Sequence, residues 1–262
     1  MLYIPESIRR FLPEEQYTYN NIGCSGASVL MFDEYVLKIE KDTNMSANEL
    51  NMMRWLKGKL PAPEVVAADC VDGMRYLLMT RMEGHDLCNS EILDDQMLLA
   101  EFVADGLRKM WAVDITDCPT SRLLDDKFKE IEEGLRGGWI TMAQARQPET
   151  YGPGGFESPG ALFDWLVQHR PEEKAVFSHG DYCLPNIFAK EKQLRGYIDL
   201  GLSGIADPWV DIEQVLWSMW ANTTGVFGGP QRSFDQKLLF EALDMDPDAE
   251  KLKYYSLLSE LC

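Results

Sequence analysis

Three side chains at fixed intervals restrict the possible fold more than any other feature of this sequence. Asp181 is followed by Asn186 five residues later, and Asp199 lies thirteen residues beyond that asparagine. Short apolar segments surround them, at residues 176–177, 187–189 and 196–198. Each polar residue alone is most often a turn former or a cap. Their order and spacing, with strand segments around them, instead predict one site in which rigid backbone holds all three groups.

The residue types fit phosphoryl transfer from a nucleotide bound with Mg²⁺. Because Mg²⁺ prefers oxygen ligands, the carboxylate of Asp199 and the amide oxygen of Asn186 are candidate metal ligands. Asp181 is the candidate catalytic residue, since a carboxylate can accept the hydrogen bond of an attacking hydroxyl. Protein kinases use the same order: a catalytic-loop Asp, an Asn and then an Asp-x-Gly.

The first third of the chain is predicted to form an antiparallel sheet with one helix. The helix is predicted to begin at Ser46, where Ser46 and Glu49 fit a capping box. Residues 81–84 interrupt the pattern and are predicted to be a hinge. Five segments rich in β-forming residues are predicted strands, at residues 17–22, 27–32, 35–39, 65–68 and 75–80.

Lys38 falls on the third predicted strand, where protein kinases place the lysine that binds the α- and β-phosphates. Glu49 is its candidate partner. Two alternatives stay open: Lys38 could be a solubilising charge on an edge strand, and Glu49 could serve the capping box. Residues 23–28, GCSGAS, match only two glycines of a kinase GxGxxG loop. They form either a plain hairpin turn or a phosphate cap, made by the backbone N–H groups of residues 25–27 and the Ser25 hydroxyl.

The remainder of the chain is predicted to be mainly helical. Apolar residues recur at helical spacing, and Asp207-Pro208 is a typical helix start. Residues 147–160 hold three prolines and four glycines and are predicted to be a surface loop. The predicted helices cover residues 96–112 and 159–169, a segment beginning at Asp207, and residues 248–261.

The chain is strongly acidic, with 43 acidic and 25 basic residues and a net charge of −18. Such a charge disfavours nucleic acids and anionic membranes and attracts a cationic substrate, although it also serves solubility alone. The six cysteines are scattered without metal-binding spacing, which fits a reducing compartment. No signal-peptide core or long apolar run is present, so we expect a cytoplasmic protein.

The sequence resembles the aminoglycoside phosphotransferases, especially their 3′-phosphotransferase branch. The resemblance covers nearly the whole chain, including residues 52–61, 114–119 and 253–261. It implies a two-lobed, protein-kinase-like α+β fold, with a nucleotide-binding lobe at 1–82 and a catalytic and substrate-binding lobe at 83–262. The motifs that carry it are FSHGD at 177–181, PNIF at 185–188, GYIDLG at 196–201 and ADPWVDI at 206–212.

The resemblance also implies ligands: ATP, with GTP possible, Mg²⁺, and a cationic aminoglycoside. Three departures from the family pattern concern them. Val36 stands where an aromatic residue often stacks on adenine, and Leu202 replaces a common arginine. The loops at 147–156 and 221–232 contain Glu149 as their one acidic residue. The implied nucleotide contacts are Lys38, Glu49, Ser25, Gly26, Ala27, Val36, Arg81 and Met82, and the implied substrate contacts are Asp181, Glu149, Glu260 and the terminal carboxylate of Cys262.

These features favour an ATP-dependent O-phosphotransferase that modifies an aminoglycoside hydroxyl, at the 3′ position, and so confers resistance. Because the acidic loops are altered, a kinase of the same fold acting on a macrolide, a peptide antibiotic or a metabolite stays open. A non-catalytic nucleotide-binding protein is disfavoured, since it would have no use for Asp181. We expect a monomer or a weak dimer.

Overall fold

An antiparallel sheet and one long helix form the N-terminal part of the computed structural model, which describes residues 3–12, 17–20 and 26–262. The strand order is β1-β2-β3-β5-β4, with every neighbouring pair antiparallel, so the predicted antiparallel sheet is confirmed for the residues described. Residues 21–22 of the first predicted strand lie outside them. The elements are α1 (Glu6–Arg9), β1 (Thr18–Asn20), β2 (Ser28–Met31), β3 (Tyr35–Lys41), α2 (Asn44–Leu56), β4 (Val65–Val71) and β5 (Met74–Thr80).

Alternation along β3 sends its side chains to two different environments. Leu37 and Ile39 join a small apolar core with Ile8 of α1 and the buried side chains of β2 and β5. Val36 and Lys38 point to the opposite face, where Val36 packs against the main core and Lys38 reaches α2. The sheet therefore shields one face of β3 with apolar residues and directs the lysine toward the C-terminal part.

The start of α2 differs from the sequence prediction. Thr43, in an extended conformation, caps the helix: its hydroxyl accepts a hydrogen bond from the Ser46 amide, and the Ser46 hydroxyl accepts one from the Thr43 amide. The predicted capping box at Ser46 and Glu49 is wrong, because the cap lies one turn earlier. Glu49 is therefore in the second turn, where its carboxylate is free to face the sheet.

The chain leaves the sheet through residues 81–84, the predicted hinge. Gly84 has φ of 90°, and a Cβ there would lie 2.2 Å from the Ala189 carbonyl oxygen. Only glycine allows this close approach to the next sheet. A tight turn at Asp72 and Gly73 joins β4 to β5, and both residues have positive φ, of 51° and 71°.

The C-terminal part is mainly helical, around a core that α4, α7 and α9 share. Two small antiparallel sheets, β6-β8-β9 and β7-β10, carry the three-residue motif. The four predicted helices are present, and α3, α5 and α8 were not predicted. Within the described residues, no helix combines the length and apolar character needed to span a membrane. The elements are β6 (His85–Asp86), α3 (Ser90–Leu93), α4 (Gln96–Trp111), α5 (Leu124–Gly137), α6 (Pro159–Gln168), β7 (Val176–Ser178), β8 (Ile187–Lys190), β9 (Gln193–Tyr197), β10 (Gly204–Ala206), α7 (Pro208–Thr223), α8 (Lys237–Leu243) and α9 (Ala249–Leu258).

Candidate active site

Lys38 is almost fully buried and has three carboxylates around it. Its Nζ lies 2.8 Å from Glu49 Oε2, 2.9 Å from Asp199 Oδ1 and 3.5 Å from Glu40 Oε1. Burial alone would lower the pKa of Lys38, but the charges of Glu49 and Asp199 outweigh burial and raise it. The predicted contact between Lys38 and Glu49 is present. The edge-strand alternative is wrong, because β3 lies between β2 and β5.

Asp199 adopts a left-handed backbone conformation, with φ of 61° and ψ of 56°. This conformation is costly for a residue other than glycine and is typically kept where surrounding contacts impose it. Here it directs a half-exposed carboxylate, 46% accessible, back toward Lys38. The next turn packs against the start of α2, since a Cβ on Gly201 would lie 2.8 Å from Met45 Cγ.

Asn48 links α2 to the loop that follows Asp199. Its buried amide nitrogen donates to the carbonyl oxygens of Gly201 and Ser203, both at 2.9 Å. Its amide oxygen accepts a hydrogen bond from the Thr120 hydroxyl at 2.6 Å. Because Asn48 precedes Glu49 directly, these bonds fix the position of Glu49 relative to Asp199.

The carboxylate of Asp181 is oriented from both sides. The Asn186 side-chain nitrogen donates to Asp181 Oδ2 and to the Asp181 carbonyl oxygen, each at 3.0 Å. The Cys183 thiol lies 3.2 Å from Asp181 Oδ1 and donates to it. Burial and the neighbouring Asp181 raise the pKa of Cys183, so it remains a thiol and a donor.

A fully buried carboxylate, Asp211, supports the backbone on which Asp181 lies. It accepts hydrogen bonds from the amides of His179 at 3.2 Å and Gly180 at 3.0 Å. Burial raises the pKa of Asp211 to about 7 against the effect of these bonds. Gly180 has φ of 76°, and a Cβ there would lie 2.2 Å from the Leu202 carbonyl oxygen, so this turn requires glycine.

His179 joins the segment before Asp181 to the strand that ends before Asp199. Its ring is buried, and Nε2 lies 2.9 Å from the Ile198 carbonyl oxygen. Nε2 must donate to a carbonyl, so it carries the proton. Burial lowers the pKa of His179, which keeps the ring neutral. Its Nδ1 has no hydrogen-bond partner within the part of the chain that the structure describes.

The predicted nucleotide contacts come from the sheet, α2 and the hinge, and Ser25 is outside the described residues. Gly26 has φ of 69° and leads, with Ala27, into β2. Val36 lies two residues before Lys38 on the same face of β3. The Arg81 amide donates to the Glu34 carbonyl oxygen at 2.9 Å, so this N–H is already engaged.

Met82 is partly buried at the hinge and lies over β9. A Cβ on Gly196 would lie 2.4 Å from its Cε. The predicted hinge residues thus differ: the amide of Arg81 is engaged within the sheet, whereas Met82 packs against the strand that leads to Asp199.

The predicted substrate contacts fall in different environments. Glu260 is buried, and its two carboxylate oxygens accept hydrogen bonds from the backbone amides of Arg146 at 2.6 Å and Gln147 at 3.1 Å. Glu149 is exposed in the same loop. Cys262 is exposed and lines a small cavity together with Gly180, Leu202 and Glu213. Glu260 therefore holds the loop backbone in place.

The donor groups fit one Mg²⁺ ion bound together with a triphosphate. Both side-chain hydrogen bonds of Asn186 use its nitrogen, which leaves the amide oxygen directed away from Asp181. Among the described residues, no group of three His, Cys, Asp or Glu side chains could hold a metal unaided. Asp199 and Asn186 supply two oxygens, and Mg²⁺ typically completes its coordination with phosphates and water.

Sequence reasoning missed several residues that support this site. Glu40 had a signal, since it lies two residues after Lys38 on the same face of β3. Asn48 had a weaker signal, as a polar residue among the core positions of α2. The thiol of Cys183 had none, because a single cysteine two residues from Asp181 forms no recognisable pattern. The contact of Arg146 Nη1 with Glu213 Oε2 of α7, at 3.9 Å, had none because it joins a loop to a distant helix.

Comparisons with known proteins agree with this geometry. A model described as the phosphotransferase enzyme family matches residues 22–247. An aminoglycoside 3′-phosphotransferase of Enterococcus faecalis is 38% identical over 215 residues, covering 81% of this chain and 77% of the relative. One of Niallia circulans is 32% identical over 265 residues, covering 98% and 96%. The crystal structure of aminoglycoside-3′-phosphotransferase of type VIII superposes with a TM-score of 0.74 at 21% identity, covering 98% of each chain.

The fold is therefore the two-lobed, kinase-like fold, and the predicted fold class is confirmed. The resemblance to the 3′-phosphotransferases is also confirmed by these relatives. The chain belongs to the phosphotransferase enzyme family.

Proposed function

We propose that this enzyme transfers the γ-phosphoryl group of ATP to the 3′-hydroxyl of an aminoglycoside and thereby confers resistance. The observation that carries the proposal is the bond between Lys38 and Asp199, which brings residues 161 positions apart to within 2.9 Å. It joins the lysine of the sheet to the motif of the C-terminal part. The relatives that match most of the chain are named aminoglycoside 3′-phosphotransferases, which supports the choice of acceptor.

In this proposal, Lys38 binds the α- and β-phosphates while Glu49 holds its ammonium group in place. Asp199 and the amide oxygen of Asn186 hold Mg²⁺, which when bound neutralises charge on the phosphates. The backbone of residues 25–27 caps the β-phosphate. Adenine lies between Val36 and Met82 and bonds to hinge backbone beyond the engaged Arg81 amide. Val36 offers no ring for stacking, so GTP stays possible.

Asp181 accepts the hydrogen bond of the attacking hydroxyl and directs its oxygen at the γ-phosphorus. The donors Asn186 and Cys183 preset the carboxylate, so little reorganisation is needed when the acceptor binds. Asp211 fixes the underlying backbone through the amides of His179 and Gly180. The protein's contribution is thus positioning and electrostatics.

The acceptor is a polycation drawn by the negative charge of the protein, −18 overall. Glu149 at the loop surface and the carboxylate of Glu260 below it supply local negative potential, and Cys262 lies at the edge of the same region. Such a pocket attracts ammonium groups without requiring that each one form a direct pair.

A coupled ADP-release assay with a panel of aminoglycosides tests the proposal, and NMR of the product locates the phosphate. We expect drug-dependent ADP release and a 3′-phosphate. D181N, which preserves the shape of the side chain, is the matched control and should abolish the drug-dependent signal. ADP release stimulated only by a macrolide, a peptide antibiotic or a metabolite would show that the acceptor is that compound and not an aminoglycoside. A phosphate at another position of the drug would overturn the 3′ assignment.

A further inference from the structure

Arg146 places a guanidinium group between α7 and the loop that contains the exposed Glu149. Arg146 lies 3.9 Å from Glu213 Oε2 through Nη1, and its guanidinium carbon is 4.7 Å from the ring centroid of Trp217. The Arg146 side chain is 26% accessible, whereas that of Glu213 is 9% accessible. The arginine is therefore positioned between a buried carboxylate and an aromatic face, with one side open to solvent.

This group is next to the catalytic loop. Ser218, which follows Trp217, accepts a hydrogen bond from the Leu184 amide at 3.0 Å. Cys183, one residue earlier, donates to Asp181 Oδ1 at 3.2 Å. The segment of α7 that carries Trp217 thus brings Arg146 close to the loop that follows Asp181, where the proposed function places the acceptor hydroxyl.

Arg146 is also held there by its backbone. Glu260 accepts the Arg146 amide at 2.6 Å and the Gln147 amide at 3.1 Å, and the Gln147 side chain donates to the Ser256 hydroxyl. A loop fixed at two consecutive amides gives its arginine a defined position. The backbone from which the guanidinium projects is therefore anchored to the C-terminal end of the chain.

We propose that Arg146 is a specificity-determining residue that occupies an ammonium position of the acceptor pocket, so that the enzyme prefers aminoglycosides with a hydroxyl there over those with an amine. The inference rests on the proposed function. Arg146 already neutralises Glu213, as an ammonium group of the acceptor otherwise would. An ammonium group of the drug at this position would be repelled by the Arg146 guanidinium. It would also find no unpaired carboxylate there to offset the repulsion.

Matched drugs that exchange one amine for a hydroxyl test this directly. Neomycin and paromomycin form one such pair, and kanamycin B and kanamycin A form another at a different position. The measured quantity is kcat/KM for the amine drug divided by kcat/KM for its hydroxyl partner. R146Q should raise this ratio about fivefold in at least one pair, the effect of one partly exposed charge. E213Q, which leaves the arginine unneutralised, should lower the ratio in the same pair.

Two controls separate charge from other effects. R146K keeps the cation and should keep the wild-type ratio. R9Q removes an arginine from α1, which packs on the far side of the sheet against β4, and tests net charge alone. Equal ratios in wild type, R146Q and E213Q would overturn the inference, as would a shift in R9Q equal to that in R146Q. If R146Q fails to fold because Glu213 is left buried without a cation, E213Q provides the test. A lower amine-to-hydroxyl ratio of kcat/KM in E213Q supports the inference, and an unchanged ratio overturns it.

Calorimetry measures the dissociation constants of the same four drugs for the nucleotide-free protein. This measurement tests Arg146 independently of phosphorylation. If no variant phosphorylates any drug, the proposed function fails. The ratio of dissociation constants still tests Arg146: a change with R146Q supports repulsion of ammonium groups, and an unchanged ratio overturns it.

Discussion

Two neighbouring side chains are enough to orient the carboxylate of Asp181. Its two oxygens are engaged by different donors, the Cys183 thiol and the Asn186 amide, both within five residues along the chain. A short loop can therefore hold the carboxylate of one of its own residues in a fixed orientation. The neighbours that support the loop, Asp211 and His179, are fully buried and act on backbone.

Removing the carboxylate of Asp181 should affect turnover and spare nucleotide binding. We expect D181N to lower kcat by at least about 10²-fold, because the amide cannot accept the acceptor's proton. The dissociation constant for ATP should stay within about twofold, measured by calorimetry. A variant that loses ATP binding to the same extent would show that Asp181 holds the nucleotide site together and has no separate role in turnover.

Asp211 should give the protein an unusual pH dependence. Its pKa is raised by burial from 3.8 to about 7, so the folded protein binds this proton more tightly than the unfolded chain does. The stability from this group is therefore greatest at acid pH and declines as pH rises toward 7. In urea unfolding, wild type should lose about 1–3 kcal/mol relative to D211N between pH 5 and 7. A difference that stays constant between pH 5 and 7 would mean that the backbone amides dominate and the carboxylate stays ionised.

At the scale of elements, α2 and the loop after Asp199 behave as one unit. Asn48 ties the helix to two carbonyls of that loop and to Thr120 beyond it. The hydrogen bonds from Asn48 join segments on either side of the predicted hinge at residues 81–84. They therefore set the position of Glu49 relative to Asp199 across this hinge.

Asn48→Ala should therefore impair the use of Mg·ATP. Two carbonyls and a hydroxyl lose a buried partner, which should cost about 1–3 kcal/mol of stability. Small displacement of Glu49 and Asp199 should lower kcat/KM for Mg·ATP about tenfold. N51A, an exposed change on the same helix, is the matched control and should leave both values unchanged. A stability loss with normal Mg·ATP kinetics would limit Asn48 to a purely structural role.

Local patterns predicted most elements of this fold, and tertiary contacts account for the failures. Strands and caps such as Asp207-Pro208 follow from short-range rules. The start of α2 was misplaced because Ser46 fits two capping boxes, and only the extended backbone of Thr43 distinguishes them. The motif residues could be found from spacing, but no local signal could place Arg146 beside Trp217, because that contact joins a loop to a helix 71 residues away.

For the whole molecule, charge has opposite consequences for the two substrates. A net charge of −18 attracts a polycationic drug and repels the tetraanionic nucleotide. Lys38 offsets this repulsion locally, yet three carboxylates lie within 3.5 Å of its ammonium. We therefore expect Mg²⁺ and backbone donors to offset the repulsion of ATP, while the overall field attracts the acceptor.

Salt should therefore change the Michaelis constant for the drug and that for ATP in different ways. Between about 0.05 M and 0.5 M NaCl the Debye length falls severalfold, which weakens the exposed pairs that hold a polycation. We expect KM for the drug to rise at least about threefold, while KM for ATP stays constant or falls because its repulsion is screened. Paromomycin, with one ammonium fewer than neomycin, should show the weaker dependence in initial-rate measurements. Parallel changes in the two constants would mean that salt acts on the fold, and that the acidic field does not select the acceptor.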